Sequence, residues 1–239
     1  MRHSTNLLRR CAAEAIGTCL LLVAIVGSGI MGERLAGGNV AIALLANTTA
    51  NGAALVALIL TFGHISGAYF NPVVTLANAS RGGISWRDVS AYTTAQTAGA
   101  FAGVAAAHVM FGLPLYFASS QERSGGRLIF SEFVATFGLL SVIWGCTRLR
   151  SVVVPFAVAA YIVAAAWFTS STSFVNPAVT LARAASDTFV DIRPADAPGF
   201  IIAQLAGAFA ATYLFRWLVP ALPKHATAVV VPHDEKIGF

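Results

Sequence analysis

One decapeptide occurs twice in this chain, and it constrains the fold more than any other feature. Asn71-Pro-Val-Val-Thr-Leu-Ala-Asn-Ala-Ser80 and Asn176-Pro-Ala-Val-Thr-Leu-Ala-Arg-Ala-Ala185 agree at seven of ten positions at an offset of 105. Two further pairs keep the same order: Glu14-Ala-Ile-Gly-Thr18 with Glu132-Phe-Val-Ala-Thr136, and Ala95-Gln-Thr-Ala-Gly-Ala-Phe-Ala102 with Ala203-Gln-Leu-Ala-Gly-Ala-Phe-Ala210. The chain is therefore a duplicated unit, and each unit has to bury its apolar surface in the same way.

Composition supplies the solvent for that unit. Hydrophobic residues make up 57% of 239 positions and charged residues 10%, whereas soluble domains carry about 25% charged residues. At about 20 residues per spanning helix, this apolar content supplies about six spans, too few for a twelve-span transporter and too many for a single anchor. The predicted spans are Arg10 to Met31, Val40 to Phe62, Val89 to Phe111, Ile129 to Cys146, Val152 to Phe168 and Pro198 to Val219. Arg2, Arg9 and Arg10 ahead of the first run imitate a secretory signal, but Glu14 interrupts the run and it continues too long, so an uncleaved first span is expected.

The two Asn-Pro stretches, Asn71 to Ala79 and Asn176 to Ala185, are too short to cross and read as re-entrant half-helices. Each repeat then holds three spans and one half-helix. Three is odd, so the second half must lie inverted with respect to the first. The expected organisation is a single membrane channel domain over 1–239, with repeat 1 at about 10–112, repeat 2 at about 128–220 and a tail at 221–239.

Proline at the first helical position fixes φ without losing a needed donor, and the asparagine before it can cap the helix. Pro72 and Pro177 are thus predicted to start helices capped by Asn71 and Asn176, with Val73 and Ala178 following. Two such starts meeting at the midplane bring two positive dipole ends and two amide donors. That arrangement repels cations and orients neutral hydroxylic solutes. The approach segments, including Gly67, Ala68, Tyr69, Thr172, Phe174 and Val175, carry carbonyls tolerated at membrane depth only along a watery path.

Taken together, Gly63-His-Ile-Ser-Gly-Ala-Tyr-Phe-Asn-Pro-Val73 and the second Asn-Pro-Ala at Asn176 to Ala178 resemble the aquaporin and aquaglyceroporin family, the major intrinsic proteins, over nearly the whole chain. The resemblance implies an all-α membrane protein, six transmembrane helices and two half-helices in an aquaporin-like inverted repeat, with a pore in each protomer and four protomers in a homotetramer. It implies that Glu14 and Glu132 hold pore-loop amides in place. His64, seven residues before Asn71, reads as a hydrogen-bonded loop scaffold residue, with a pH gate as the alternative. By family spacing the selectivity filter falls on Asn51, Ala164, Ser173 and Val179. The family usually has arginine where this chain has Val179, and alanine where it has Val73. The arginine-free filter is similar to that of a bacterial subgroup associated with arsenic resistance, so the expected solutes are small and neutral: water, polyols, arsenite and methylated arsenicals. Thr180 stands where glycerol channels carry aspartate.

Arg183 lies one turn beyond Val179, on the same helix face. It reads either as a displaced filter arginine in the vestibule or as an interfacial side chain snorkelling into water. With six spans, nine basic residues share the side of both termini and five, Arg34, Arg123, Arg127, Arg183 and Arg193, lie on the other. The termini are accordingly expected in the cytoplasm, with the chain in the inner (plasma) membrane. Cys11, Cys19 and Cys146 give no disulfide framework, and the five histidines no metal site. No nucleic-acid patch, cofactor motif or catalytic constellation is legible. The competing readings are a proton-coupled secondary transporter using Glu14 or Glu132, and an ordinary water or glycerol channel.

Overall fold

The computed structural model describes residues 6–149 and 151–219. Arg2, Arg150, Lys224, Lys236 and the expected tail lie outside the described residues. Among those described there are eight α-helices: α1 (Leu7–Leu35), α2 (Val40–Ser66), α3 (Pro72–Ser80), α4 (Trp86–Phe111), α5 (Gly126–Leu149), α6 (Val154–Phe168), α7 (Pro177–Arg183) and α8 (Ala197–Leu218). A single 3-10 turn, Ser151–Val153, leads into α6.

The helix ends follow from their residues. Asn6, Asn39 and Ser85 cap α1, α2 and α4 through their side chains, while Gly67 and Gly112 end α2 and α4 in the left-handed region at φ 92° and 69°. Asn71 and Asn176 cap the nine-residue α3 and the seven-residue α7, each with proline at the helix start. At 1.5 Å per residue those two helices reach about 10–14 Å, under half of a bilayer core of about 30 Å.

Six long helices match the six expected spans. Four of them, α1, α2, α5 and α8, are individually long and apolar enough to cross a membrane. α6 is apolar but has only 15 residues, and its preceding 3-10 turn lengthens the segment. α4 has the length, at 26 residues, but its interior is built from Ala, Gly, Thr and Gln, residues chosen for close packing and hydrogen bonding over hydropathy.

The halves pack alike. α1 lies against α2 and α4, as α5 lies against α6 and α8, and each half-helix also reaches across, α3 to α8 and α7 to α4. Glycine sets the closeness of both main pairs. A methyl on Gly99 of α4 would sit 2.2 Å from the Ala15 carbonyl of α1, and one on Gly207 of α8 2.4 Å from the Phe133 carbonyl of α5. The direction of the halves is visible in side chains. Arg10 near the start of α1 pairs with Asp88 at the start of α4 at 2.9 Å, and Arg81, just ahead of α4, stacks over Trp144 near the end of α5 at 5.8 Å. The α4 start and the α5 end share one end of the bundle, so the halves are inverted.

Outward faces are large and apolar: Tyr213 and Trp217 on α8 are 77% and 73% exposed, and Phe130, Ile202 and Ile42 join them. Lipid covers such a surface at no hydrophobic cost. The buried interior instead holds Glu14, Gln96, Thr75, Glu132, Gln204 and Thr180, all at zero exposure.

Candidate functional site: a two-asparagine cavity

Each buried glutamate organises one approach loop. The Glu14 carboxylate accepts from the Ser66 hydroxyl at 2.6 Å, the Tyr69 and Phe70 amides at 3.0 and 2.7 Å, and the Gln96 amide at 2.8 Å. The Glu132 carboxylate accepts from the Phe174 and Val175 amides at 2.8 and 2.9 Å and from Gln204 at 2.7 Å. Gln96 and Gln204 also donate to Thr75 and Thr180, whose hydroxyls donate in turn to the carbonyls of Asn71 and Asn176. A buried carboxylate is tolerable only when paired or multiply hydrogen-bonded, and three or four donors meet that condition here.

These donors hold a backbone that would not persist alone. Ala68, Phe70, Thr172, Ser173 and Val175 all have positive φ, between 49° and 61°. Non-glycine residues in that region carry strain of about 1–3 kcal/mol each and need their surroundings to enforce it. Phe70 and Val175 occupy repeat-related places, as do Ala68 and Ser173.

The two asparagines then join the loops. The Asn71 side-chain oxygen accepts from the Val73 amide at 3.0 Å while its amide donates to the Val175 carbonyl at 2.8 Å. The Asn176 oxygen accepts from Ala178 and Val179 at 3.0 and 3.3 Å, and its amide donates to the Phe70 carbonyl at 2.8 Å. α3 and α7 meet tip to tip through these bonds.

A cavity of about 320 Å³ passes both asparagines, and Ala68, Tyr69, Phe70, Thr172, Ser173, Phe174 and Val175 contribute to its wall. Asn51, Ser173, Val179 and Arg183 line it as well. The Asn51 Oδ1 and Ser173 Oγ atoms are buried without a protein partner.

Three expected positions fall elsewhere. Ala164 is exposed on α6, while Ile162 and Ala166 face the cavity. Residues 162 and 166 are one turn apart, and 164 between them is rotated about 200° away, so spacing counted along the chain landed on the opposite face. Gly67 is the left-handed cap of α2 and does not line the cavity. His64 is exposed, and its ring makes no hydrogen bond to the described residues. Ser66 does the loop work expected of His64, bonding Glu14 and the Ala68 amide while its carbonyl accepts from Tyr92.

Arg183 is 5% exposed, so its side chain sits in the wall of the cavity and does not extend over the outer surface. Its guanidinium lies 3.5 Å from the Phe174 ring centre, and its Nε 3.8 Å from Asp191. Two of its neighbours, Asp191 and Arg123, were not singled out in the sequence. Arg123, from the loop between α4 and α5, donates to the Asp191 carbonyl at 2.5 Å and the Ser171 carbonyl at 3.2 Å, and it lines the cavity. Nothing in its local sequence marks it, since it is one polar loop residue among many. Thr75 and Thr180, by contrast, stand four residues after each asparagine and were visible in the repeat.

Around this mouth the loop before α5 and the loop after α7 form one platform. Phe117 and Ser119 donate to the carbonyls of Ala185 and Ala184, Arg193 to that of Gln121, and the Arg123 amide to Asp196. Outside the spans, the Arg193 guanidinium is held above its ordinary pKa by its hydrogen bond to Asp196.

The sequence model of the major intrinsic protein family matches residues 1–151 and 144–237. The chain is 52% identical to aquaglyceroporin AqpS of Rhizobium meliloti (strain 1021) over 91% of its own length and 94% of that protein. It is 35% identical to aquaporin NIP1-3 of Oryza sativa subsp. japonica over 59% of its length and 49% of that protein. Its fold resembles the X-ray structure of the aquaglyceroporin from Plasmodium falciparum, with a TM-score of 0.63 at 18% identity over 91% of this chain and 97% of that one. With paired half-helices meeting at a shared cavity, this chain belongs to the major intrinsic protein family, the membrane channels for small solutes.

Proposed function

We propose that the chain is a passive channel with a wide outer filter, passing small uncharged hydroxylic solutes that include polyols, arsenite and methylated arsenicals as well as water. The observation that carries this reading is residue 179. The position after the second Asn-Pro-Ala is Val179, which lines the cavity beside Ser173 and Asn51. Valine there contributes no charge and none of the five donors of a guanidinium. Arsenite near neutral pH is an uncharged trihydroxy species with the hydrogen-bonding character of a small polyol, and Asn71 and Asn176 offer it donors at the midplane.

In the same reading the whole chain is one channel domain, it assembles as a homotetramer, and it sits in the plasma membrane with both termini in the cytoplasm. The last point is supported by the excess of basic residues on the side of the termini. Coupled transport by Glu14 or Glu132 is disfavoured, because both carboxylates are occupied by hydrogen-bond donors of the loops they hold.

The test is an uptake panel of water, glycerol, urea, arsenite and methylated arsenicals in sealed vesicles, for wild type and Val179→Arg. The expected outcome is gradient-independent uptake that narrows toward the smallest solutes when arginine is introduced. An unchanged ranking would mean that residue 179 does not set the cutoff, and uptake that requires a proton or sodium gradient would replace the channel with a coupled transporter.

A further inference from the structure

The outer end of the cavity presents two guanidinium groups and no carboxylate. Arg123 and Arg183 belong to the lining, whereas the nearest acids, Asp191 and Glu132, do not. Glu132 is turned onto the loop amides and Gln204. Asp191, fully buried, directs one carboxylate oxygen to the amide and hydroxyl of Thr188. Negative charge therefore balances the arginines from behind the wall: both Nε atoms turn toward Asp191, and the terminal nitrogens are the donors left for the cavity.

Those donors are largely unused. The Arg183 side chain makes no hydrogen bond to the described residues: its Nε is buried without a partner, and Asp191 Oδ1 at 3.8 Å is beyond hydrogen-bond reach. Phe174 covers the face of its guanidinium, leaving the donor-bearing edge. Arg123 spends Nε and one terminal nitrogen on Asp191, Ser171 and Thr172, and its other terminal nitrogen bonds no described residue. Its guanidinium lies 5.1 Å from the same Phe174 ring. Beside the pair, Ser173 Oγ and Asn51 Oδ1 are also buried and unpartnered. Buried donors left without acceptors are costly, so this arrangement is built for something that occupies the cavity.

We propose that Arg123 and Arg183 form a two-arginine selectivity site at the outer end of the cavity, repelling cations and donating hydrogen bonds to neutral solutes that carry two or more oxygen acceptors. Phe174 spaces the pair and Asp191 holds it from behind. The inference rests on the channel reading above and names the residues that govern what that channel admits. A planar fork of donors suits such solutes better than a point charge, and the site does from a loop and a helix end what no side chain at position 179 does.

The test uses the full chain reconstituted in proteoliposomes, reading sodium leak together with glycerol and urea uptake. Arg123→Met and Arg183→Met combined should raise sodium leak about tenfold and lower the ratio of glycerol to urea uptake, once the fixed charge and fork are gone. Arg123→Lys and Arg183→Lys should keep sodium out, because charge is retained, and still lower that ratio. If the methionine variants do not assemble, the lysine variants decide. The proposal is overturned if wild type takes up glycerol while every variant obtained leaves both leak and ratio unchanged. Wild type without gradient-independent uptake of either solute would instead overturn the channel reading and this inference with it.

Discussion

The side-chain amide of Asn71 donates to the carbonyl of Val175, 2.8 Å away and 104 residues along the chain. With the reciprocal bond from Asn176 to Phe70, it ties two loops from opposite halves at the point where both backbones are left-handed. Asn71→Ala removes a cap worth about 1 kcal/mol and strands a buried carbonyl at about 1–3 kcal/mol. The expected result is a clear drop in the thermal midpoint of the purified protein. Asn71→Asp, which keeps the cap but sets a carboxylate against the Val175 carbonyl, should fall at least as far. Wild-type melting of both would show that the cross-bond carries no stability.

Glu132 offers a sharper separation of structure from transport. Glu132→Gln keeps the shape but sets an NH2 group either against the Phe174 amide or against the Val175 amide and Gln204, and each charged hydrogen bond lost is worth about 1.5–3 kcal/mol. Denaturation should show the loss, and uptake by the surviving folded protein should stay independent of a proton gradient. Retained stability with lost uptake would instead assign Glu132 a transport role.

Glycines at the helix contacts should divide by distance. Gly99→Ala places a methyl 2.2 Å from the Ala15 carbonyl, and overpacking of this kind costs about 1–3 kcal/mol. Gly27→Ala meets only the Phe111 ring at 3.5 Å, an ordinary contact, and should gain up to about 1 kcal/mol from helix propensity. Comparing the two melting temperatures checks the packing of α1 on α4.

Asn51 donates to Asn47 at 3.2 Å and leaves its own oxygen unpaired at the cavity. Asn51→Leu should change stability by under about 1 kcal/mol while reducing glycerol uptake relative to water. Equal loss of both solutes would point to blockage by bulk, and no change in either would remove Asn51 from the filter.

The inverted halves, the two capped half-helices and the paired glutamates were all legible in the chain, because each depends on identity and order that recur at a fixed offset. A proline after asparagine, a buried acid and an apolar run each have one economical solution in a membrane, and duplication makes that solution self-consistent. The structure adds why α4 is less apolar than the other long helices: Gly99 packs against the Ala15 carbonyl and Gln96 bonds Glu14 and Thr75.

What tertiary structure decided was rotation and reach. Ala164 is two residues from Ile162 and from Ala166, yet faces away from the cavity they line, because the azimuth of α6 is fixed by its packing and not by counting. His64 and Ser66 are likewise two apart, and only the fold gives Ser66 to Glu14. Arg123 is the strongest case: its place at the mouth comes from the platform of Ser119, Gln121 and Asp196 against the loop after α7. Local sequence sets which residues cap, break and span, since those effects act over one helical turn. Which loop arginine ends beside Phe174 depends on contacts about fifty residues apart, and only the assembled chain specifies them.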